Sequence, residues 1–366
     1  MNLLWLERER HIHRLMRACV FSLSLLLLAA SCDDPPSSPS TPRPPTTPGL
    51  PVDIASPSRT TLFDYLRILA ADSMYGRRAG SEYERDAAEW VRARFIEIGL
   101  DPGSATAYMQ TFDIPFVVDG QAGLISQNVL GVLPGQGSLA GQWVVLGAHY
   151  DHVGFTEDGD GSVTVYNGAD DNASGTALML EAARVLSEYA AGDDAVGVDR
   201  RSIMFQAYGS EEVGLVGSVH FCGNPTVSMD SVTAMVNLDM VGRLRDATLG
   251  LIGLESSALW VDLVSAANKD LLYLVSVDGL MNRSDQYCFF QHGKPVLFLH
   301  TGLHDEYHTP QDDVELINGV GMVSVGKLAS WVLLDLALRS QPLPFTGGLS
   351  SAPPSPGAID LARFRR

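Results

Sequence analysis

From residue 59 onward, apolar positions recur in two alternating rhythms. Residues 82–98 place Ala87, Trp90, Val91, Phe95 and Ile98 near helical spacing and stop at Gly99, which predicts a helix. Residues 175–189 predict a second helix, with Leu178, Ala182, Val185 and Leu186 on one face, and 314–338 is largely helical. Between these lie short apolar runs at 143–148, 203–208, 234–238 and 295–300, each bounded by polar or turn residues and each the length of a buried strand. Strands apolar on both faces that alternate with helices predict an α/β fold: a mostly parallel central β-sheet flanked by helices on both faces. Ligands of such sheets bind beyond the carboxyl ends of the strands, so the polar residues just after each run are where chemistry is expected. No internal repeat interrupts the pattern.

The beginning of the chain follows a different rule. Arg8, Arg10, Arg14 and Arg17 precede an apolar run at 20–30 that is too short to span a bilayer and is the length of a signal-peptide core. Ala29-Ala30-Ser31 lead to Cys32, which resembles the bacterial lipoprotein signal, whose cysteine is lipidated and becomes the first residue. Leu28 stands four places before Cys32 where three is commoner, so cleavage by ordinary signal peptidase stays open, and Met16 offers an alternative start. The expected organisation is a signal at 1–32, a Pro/Ser/Thr-rich tether at 33–58, a folded domain at 59–340 and a flexible tail at 341–366. The protein is then expected to be exported, periplasmic or on the outer cell surface, touching a membrane only through Cys32, or released.

Of 366 residues 46% are hydrophobic, enough for a sizeable core, and the formal charge of −18 argues against a nucleic-acid partner. Cys19 falls in the signal and Cys32 at its end. Cys222 and Cys288 remain and are read as two buried free thiols, although an oxidising compartment permits a disulfide.

Each predicted strand is followed by residues suited to metal chemistry. After 143–148 come His149, Asp151 and His152, and after 203–208 come Glu211 and Glu212. Asp239 follows 234–238, and 295–300 leads to Asp305-Glu306-Tyr307-His308-Thr309-Pro310. The loop Asp170-Asp171-Asn172 opens the helix at 175. Taken singly, Asp170 could be a helix N-cap and Glu211-Glu212 a solvated pair. Their joint arrival at one sheet edge is what such readings do not explain. Histidine and carboxylate donors without cysteine suit catalytic zinc. Ligand count gives His149 and Asp239 to one ion, Glu212 and His308 to another, and Asp170 between them.

The order His-x-Asp, Asp-Asp-Asn-x-Ser-Gly, Glu-Glu, Asn-x-Asp-Met and Tyr-His-Thr-Pro resembles the zinc-dependent aminopeptidase family of the bacterial leucyl aminopeptidase type. Its relatives include plasma glutamate carboxypeptidase, glutaminyl cyclase and the transferrin receptor. The likeness covers roughly residues 60–340, including 74–81 and 128–135. It implies a zinc exopeptidase-like three-layer sandwich, two zinc ions and peptide substrates with a free N-terminus. It also implies that His149, Asp170, Glu212, Asp239 and His308 are metal ligands, with Glu211 as general base. Asp151 would orient the His149 imidazole, Tyr307 would hydrogen-bond the oxyanion, and the Asp170–Asp171 bond would be cis. Gln286 departs from the family's usual Ser-Asp-His at 284–286, where Asp285 is either a pocket residue or a turn residue. His152 and His304 are read as outer or solvent-exposed, with His304 the competitor for the last ligand position. Glutaminyl cyclase, carboxypeptidase or dipeptidase activity, and a non-catalytic receptor-like module, are the other readings; retention of all five ligands and Glu211 favours an aminopeptidase.

Overall fold

The computed structural model describes residues 54–104, 107–270 and 272–347. The expected signal, Cys32, most of the tether and the tail beyond 347 lie outside the described residues. Seven helices are assigned: α1 (Arg59–Leu69), α2 (Glu82–Ile98), α3 (Gly175–Ala191), α4 (Val216–Gly223), α5 (Trp260–Ala267), α6 (Gln286–Gln291) and α7 (Gly319–Leu338). The strands are β1 (Asp101–Pro102), β2 (Met109–Asp113), β3 (Ile125–Leu133), β4 (Trp143–His149), β5 (Phe155–Glu157), β6 (Val163–Val165), β7 (Ser202–Tyr208), β8 (Val232–Leu238), β9 (Thr248–Ile252), β10 (Tyr273–Ser276) and β11 (Val296–His300).

Local chemistry accounts for the helix ends. Ser58 and Ser81 accept from the main-chain N–H groups of Thr61 and Glu84, satisfying donors that the first turns of α1 and α2 leave free. α2 stops where Gly99 turns left-handed at φ 84°.

Nine strands form one sheet in the order β1-β3-β7-β4-β8-β11-β9-β10, with β2 also paired to β3. The middle four, β7, β4, β8 and β11, run parallel. β3 and β9 join antiparallel on either side, so the sheet is mixed around a parallel centre. β5 and β6 make a separate hairpin. Because the crossover from β4 through α3 leads to β7 on one side, and the chain then returns to β8 on the other, β4 sits at the switch point where such sheets open a crevice.

Alternation along the strands builds two apolar layers. Leu146 and Ala148 of β4, Phe205 of β7, Val236 of β8 and Leu299 of β11 join the larger core against α1, α2, α3, α5 and α7. Val145, Met204 and Met235 face the other way, into a smaller core with Phe221 and Cys222 of α4 and Cys288 and Phe289 of α6. α7 is long and apolar enough to cross a membrane by composition, yet most of it is buried in the larger core.

Two sequence expectations change here. Cys222 and Cys288 are not free thiols: they form a disulfide between α4 and α6. The part of the expected tail that lies among the described residues is packed. Leu343 is buried, Phe345 packs edge-on against Phe290 and Thr346 N–H donates to the Ser256 carbonyl.

The disulfide closes a 66-residue separation, so its loss should free the unfolded chain. Cys222→Ser is expected to lower stability by roughly 2–4 kcal/mol in a urea titration. A midpoint equal to that of the oxidised protein would show that the tie does not constrain the fold.

Candidate metal centre

The carboxyl ends of the four parallel strands deliver the site. β4 ends at His149, β7 runs into Ser210-Glu211-Glu212, β8 into Asp239, and β11 into the loop carrying His308. The fifth contributor is the turn at 169–174, just before α3. Gly168 enters it at φ 56°, and a Cβ there would lie 2.2 Å from the Asp171 carbonyl oxygen, so the turn requires glycine.

Within this turn the structure corrects the sequence reading by one residue. The Asp170 carboxylate faces away from the other candidates: Oδ1 accepts from the Gly242 N–H at 2.6 Å and Oδ2 lies 3.2 Å from His304 Nε2. Asp171 takes the central place. Its Oδ1 is 3.3 Å from His149 Nε2 and its Oδ2 is 2.9 Å from His308 Nε2. The cis peptide bond moves with it, falling at Asp171–Asn172 and not at Asp170–Asp171.

Two groups of donors flank that carboxylate. His149, Glu211 and Asp239 form one, with His149 Nε2 3.5 Å from Asp239 Oδ1. His152, Asp171, Glu212 and His308 form the other, with Glu212 Oε2 3.0 Å from His308 Nε2 and Glu212 Oε1 2.8 Å from His152 Nδ1. In each group, one donor atom per residue lies within 4.8 Å of all the others. His308 Nε2 is buried and near two carboxylate oxygens, yet it aligns a hydrogen bond with neither. Donors that converge on a point instead of on one another are what a cation requires. The set, nitrogen and oxygen without sulfur, fits zinc in a catalytic coordination.

The electrostatics agree. Burial alone would push the His149 imidazole down, but Glu211, Asp239, Asp151 and Asp171 overcome it and hold the pKa well above the ordinary value. Glu211 is raised as well, but here burial drives it: with the charges of Glu212, Asp285 and Asp239, burial lifts its carboxyl well above the usual range despite His149. The cluster therefore carries more negative charge than its own histidines balance.

The remaining predicted residues take definite places. Asp151 is buried, but its carboxylate accepts the Glu211 and Glu212 main-chain N–H groups at 2.9 and 3.2 Å; the nearest partner of His149 Nδ1 is the Asp151 carbonyl oxygen, 3.2 Å away. Asp151 thus sets the Glu-Glu turn, where Ser210 is left-handed at φ 56°, more directly than it sets the imidazole. Tyr307 is 38% exposed and stacks on His308 with ring centroids 3.8 Å apart. Gln286 and Ser284 both accept from Asn237 Nδ2, tying the start of α6 to β8. Asp285 between them is buried with neither oxygen partnered, and burial pushes its carboxyl up to about 7.

His152 is buried and grips Glu212, an outer role and not a solvent-exposed one. Two participants were not read from the sequence. Asp312 is buried and accepts from the N–H groups of both Asp170 and Asp171, fixing the turn. Its position four residues after His308, in Gln311-Asp312-Asp313, was the available signal. Glu84, three residues into α2, lies behind Ser210, whose hydroxyl donates to it at 3.0 Å along with Ser126 Oγ at 2.8 Å and Gly80 N–H at 2.7 Å.

With this geometry in place, comparison with known proteins identifies the class. Residues 128–332, more than half of the chain, match the model of peptidase family M28, and the chain belongs to that family. Aminopeptidase YwaD of Bacillus subtilis is 26% identical over 264 residues, which are 68% of this chain and 53% of that protein, so the chain spans about half of this relative's length. Leucine aminopeptidase 1 of Ajellomyces dermatitidis is 27% identical over 297 residues, covering 76% and 71% of the two chains. Among solved structures, BSAP, a zinc aminopeptidase from Bacillus subtilis, superposes with a TM-score of 0.61 at 18% identity over 79% of this chain and 97% of that one. This likeness is one of fold, an α/β sandwich around a mostly parallel sheet.

Burial, followed by the charge of Asp151, pushes the Glu84 carboxyl up to about 8 from 4.5. The folded protein then binds a proton that the unfolded chain has released, so this contribution is complete below about pH 4.5 and is lost as pH rises towards 8. Glu84→Gln keeps the shape without the titration and is expected to flatten the fall in urea midpoint between pH 5 and 8. A slope identical to that of the wild type would refute the assignment.

Proposed function

We propose that the protein is a di-zinc aminopeptidase, an exopeptidase that hydrolyses the first peptide bond of substrates with a free N-terminus. The observation that carries this reading is the pair of donor groups, one containing Glu211 and the other Asp171, that adjoin where Asp171 lies 3.3 Å from His149. Membership of family M28 and the names of the aminopeptidase relatives support it.

His149 and Asp239 would hold one ion, Glu212 and His308 the other, with Asp171 between them. Bound there, zinc supplies a Lewis acid for the scissile carbonyl and makes water nucleophilic at neutral pH. Glu211 takes the proton of the attacking water and passes it to the leaving amine, a role suited to a carboxylate that lies beside the ligands without being needed as one. Asp151 holds the Glu211 and Glu212 main chain so that one carboxylate serves as base and its neighbour as ligand. Tyr307, which stacks on His308, would donate to the developing oxyanion.

The proposal includes export, with a lipid anchor at Cys32 and a periplasmic or outer-surface location. The Cys222–Cys288 disulfide supports it, since such bonds persist in oxidising compartments.

Metal content by mass spectrometry, measured beside hydrolysis of amino-acid anilides, tests the function. Two zincs per chain and chelator-sensitive amine release are expected. One zinc with cyclisation of N-terminal glutamine peptides would favour a cyclase, and no zinc after supply would leave a binding module. Glu211→Gln should retain zinc while losing about 10²–10⁴-fold in kcat. Asp171→Ala should lose zinc, whereas Asp170→Ala, which removes only the contacts to Gly242 and His304, should keep it. Zinc loss in Asp170→Ala with retention in Asp171→Ala would reverse the assignment.

A further inference from the structure

The segment at 74–81 belongs to neither donor group, yet it contains a charged side chain that is costly to bury. Arg77 is completely buried. All four of its side-chain hydrogen bonds go to main-chain carbonyls: Nε to Tyr150 at 2.7 Å, Nη1 to Leu69 and to Asn167 (2.7 Å to the latter), and Nη2 to Gly168 at 3.0 Å. Burial draws its pKa down to about 10 against the pull of Asp151, Asp171, Asp312 and Glu212, so it stays charged at neutral pH. A buried ion without a contacting counter-ion costs several kcal/mol, and something must offset that cost.

The carbonyls it gathers indicate what does. Tyr150 lies between His149 and Asp151. Asn167 and Gly168 open the turn that presents Asp171. One planar guanidinium therefore ties together the two loops that carry a terminal ligand of one donor group and the carboxylate shared by both. The main chain is bent to allow it: Tyr75, Gly76 and Arg77 are all left-handed, at φ 44°, 61° and 48°. A Cβ on Gly76 would meet the Gly154 and Tyr166 carbonyl oxygens at 2.2 and 2.5 Å. The Arg77 carbonyl in turn accepts from the His152 N–H at 3.3 Å. Strain of this kind persists only where surrounding contacts impose it.

We propose that Arg77 is a positioning residue of the metal centre: it touches neither metal nor substrate, but its charge and its carbonyl contacts hold the His149 and Asp171 loops in ligand geometry and thereby set zinc affinity. This rests on the zinc reading given above. Acidic side chains crowded into a buried site repel one another until cations arrive. A resident guanidinium beneath the loops reduces that repulsion and spares the incoming metal the cost of ordering them. A lysine cannot replace it, because one ammonium keeps the charge but cannot span carbonyls contributed by three separate segments.

The test compares wild type, Arg77→Lys and Arg77→Met as full chains. Zinc dissociation constants are read by competition with a chromophoric chelator, and folding by near-UV circular dichroism. Arg77→Met is expected to bind zinc about 10- to 100-fold more weakly, the range typical of residues that support metal ligands from behind. Arg77→Lys should fall between it and the wild type, and kcat of either variant should recover at saturating zinc more than at stoichiometric zinc. A folded Arg77→Met with wild-type zinc affinity overturns the proposal. If Arg77→Met does not fold, Arg77→Lys decides: a lower melting temperature with unchanged zinc affinity makes Arg77 a structural residue only. A wild-type protein that takes up no zinc defeats the metal reading itself, and this proposal with it, before any variant is compared.

Discussion

Carboxylates brought together out of water repel one another, and this protein gathers Asp151, Asp170, Asp171, Glu211, Glu212, Asp239, Asp285 and Asp312 around one sheet edge. Much of the architecture is a response to that repulsion. Main-chain N–H groups are turned towards the acids: those of Glu211 and Glu212 on Asp151, those of Asp170 and Asp171 on Asp312, and that of Gly242 on Asp170. Histidines take further share, His152 on Glu212 and His304 on Asp170. The left-handed residues Ser210, Met240 and His308 mark where the chain bends to make these contacts. Those bends are tolerable because the strands beneath them are locked by ladders on both sides.

Parallel strands suit this task for a geometric reason. Four of them side by side end at one level, and each can extend a different loop over the same volume. The antiparallel strands β3 and β9 begin or end their pairing elsewhere and contribute no donor. They widen the sheet so that both apolar layers, one against α3 and α7 and one against α4 and α6, are broad enough to fix its centre.

The parallel centre was legible in the sequence because each of its strands is a compact apolar run with turn residues on both sides. Helix α2 was legible in full, since its apolar spacing over 82–98 and its stop at Gly99 match the observed bounds. β10 was not: it is largely exposed, and a short strand at a sheet edge has no periodic burial to announce it. The donor set was legible as residue types at strand ends, apart from the choice between Asp170 and Asp171. Adjacent identical residues on a turn cannot be told apart by spacing. Their fates are decided by a backbone path that leaves helical geometry at Asp171 and Asn172 and by partners, Gly242 and His304, that are remote in sequence. Asp312, Glu84 and Arg77 were hidden for the same reason, because each acts through tertiary contacts no local pattern encodes.

The placement of β11 has a consequence for the order of assembly. This strand is the last to leave the ribosome, yet it lies between β8 and β9, in the interior of the sheet. A nascent chain must keep that slot open until residue 300 has emerged, and His308 joins His149 only across a long span of intervening sequence. An ion held by the donor group that includes His308 would therefore find its site complete only after β11 has been placed. A chain shortened before β11 would lack both a donor and the strand that seals its own sheet, leaving two exposed inner edges for quality control or aggregation to find.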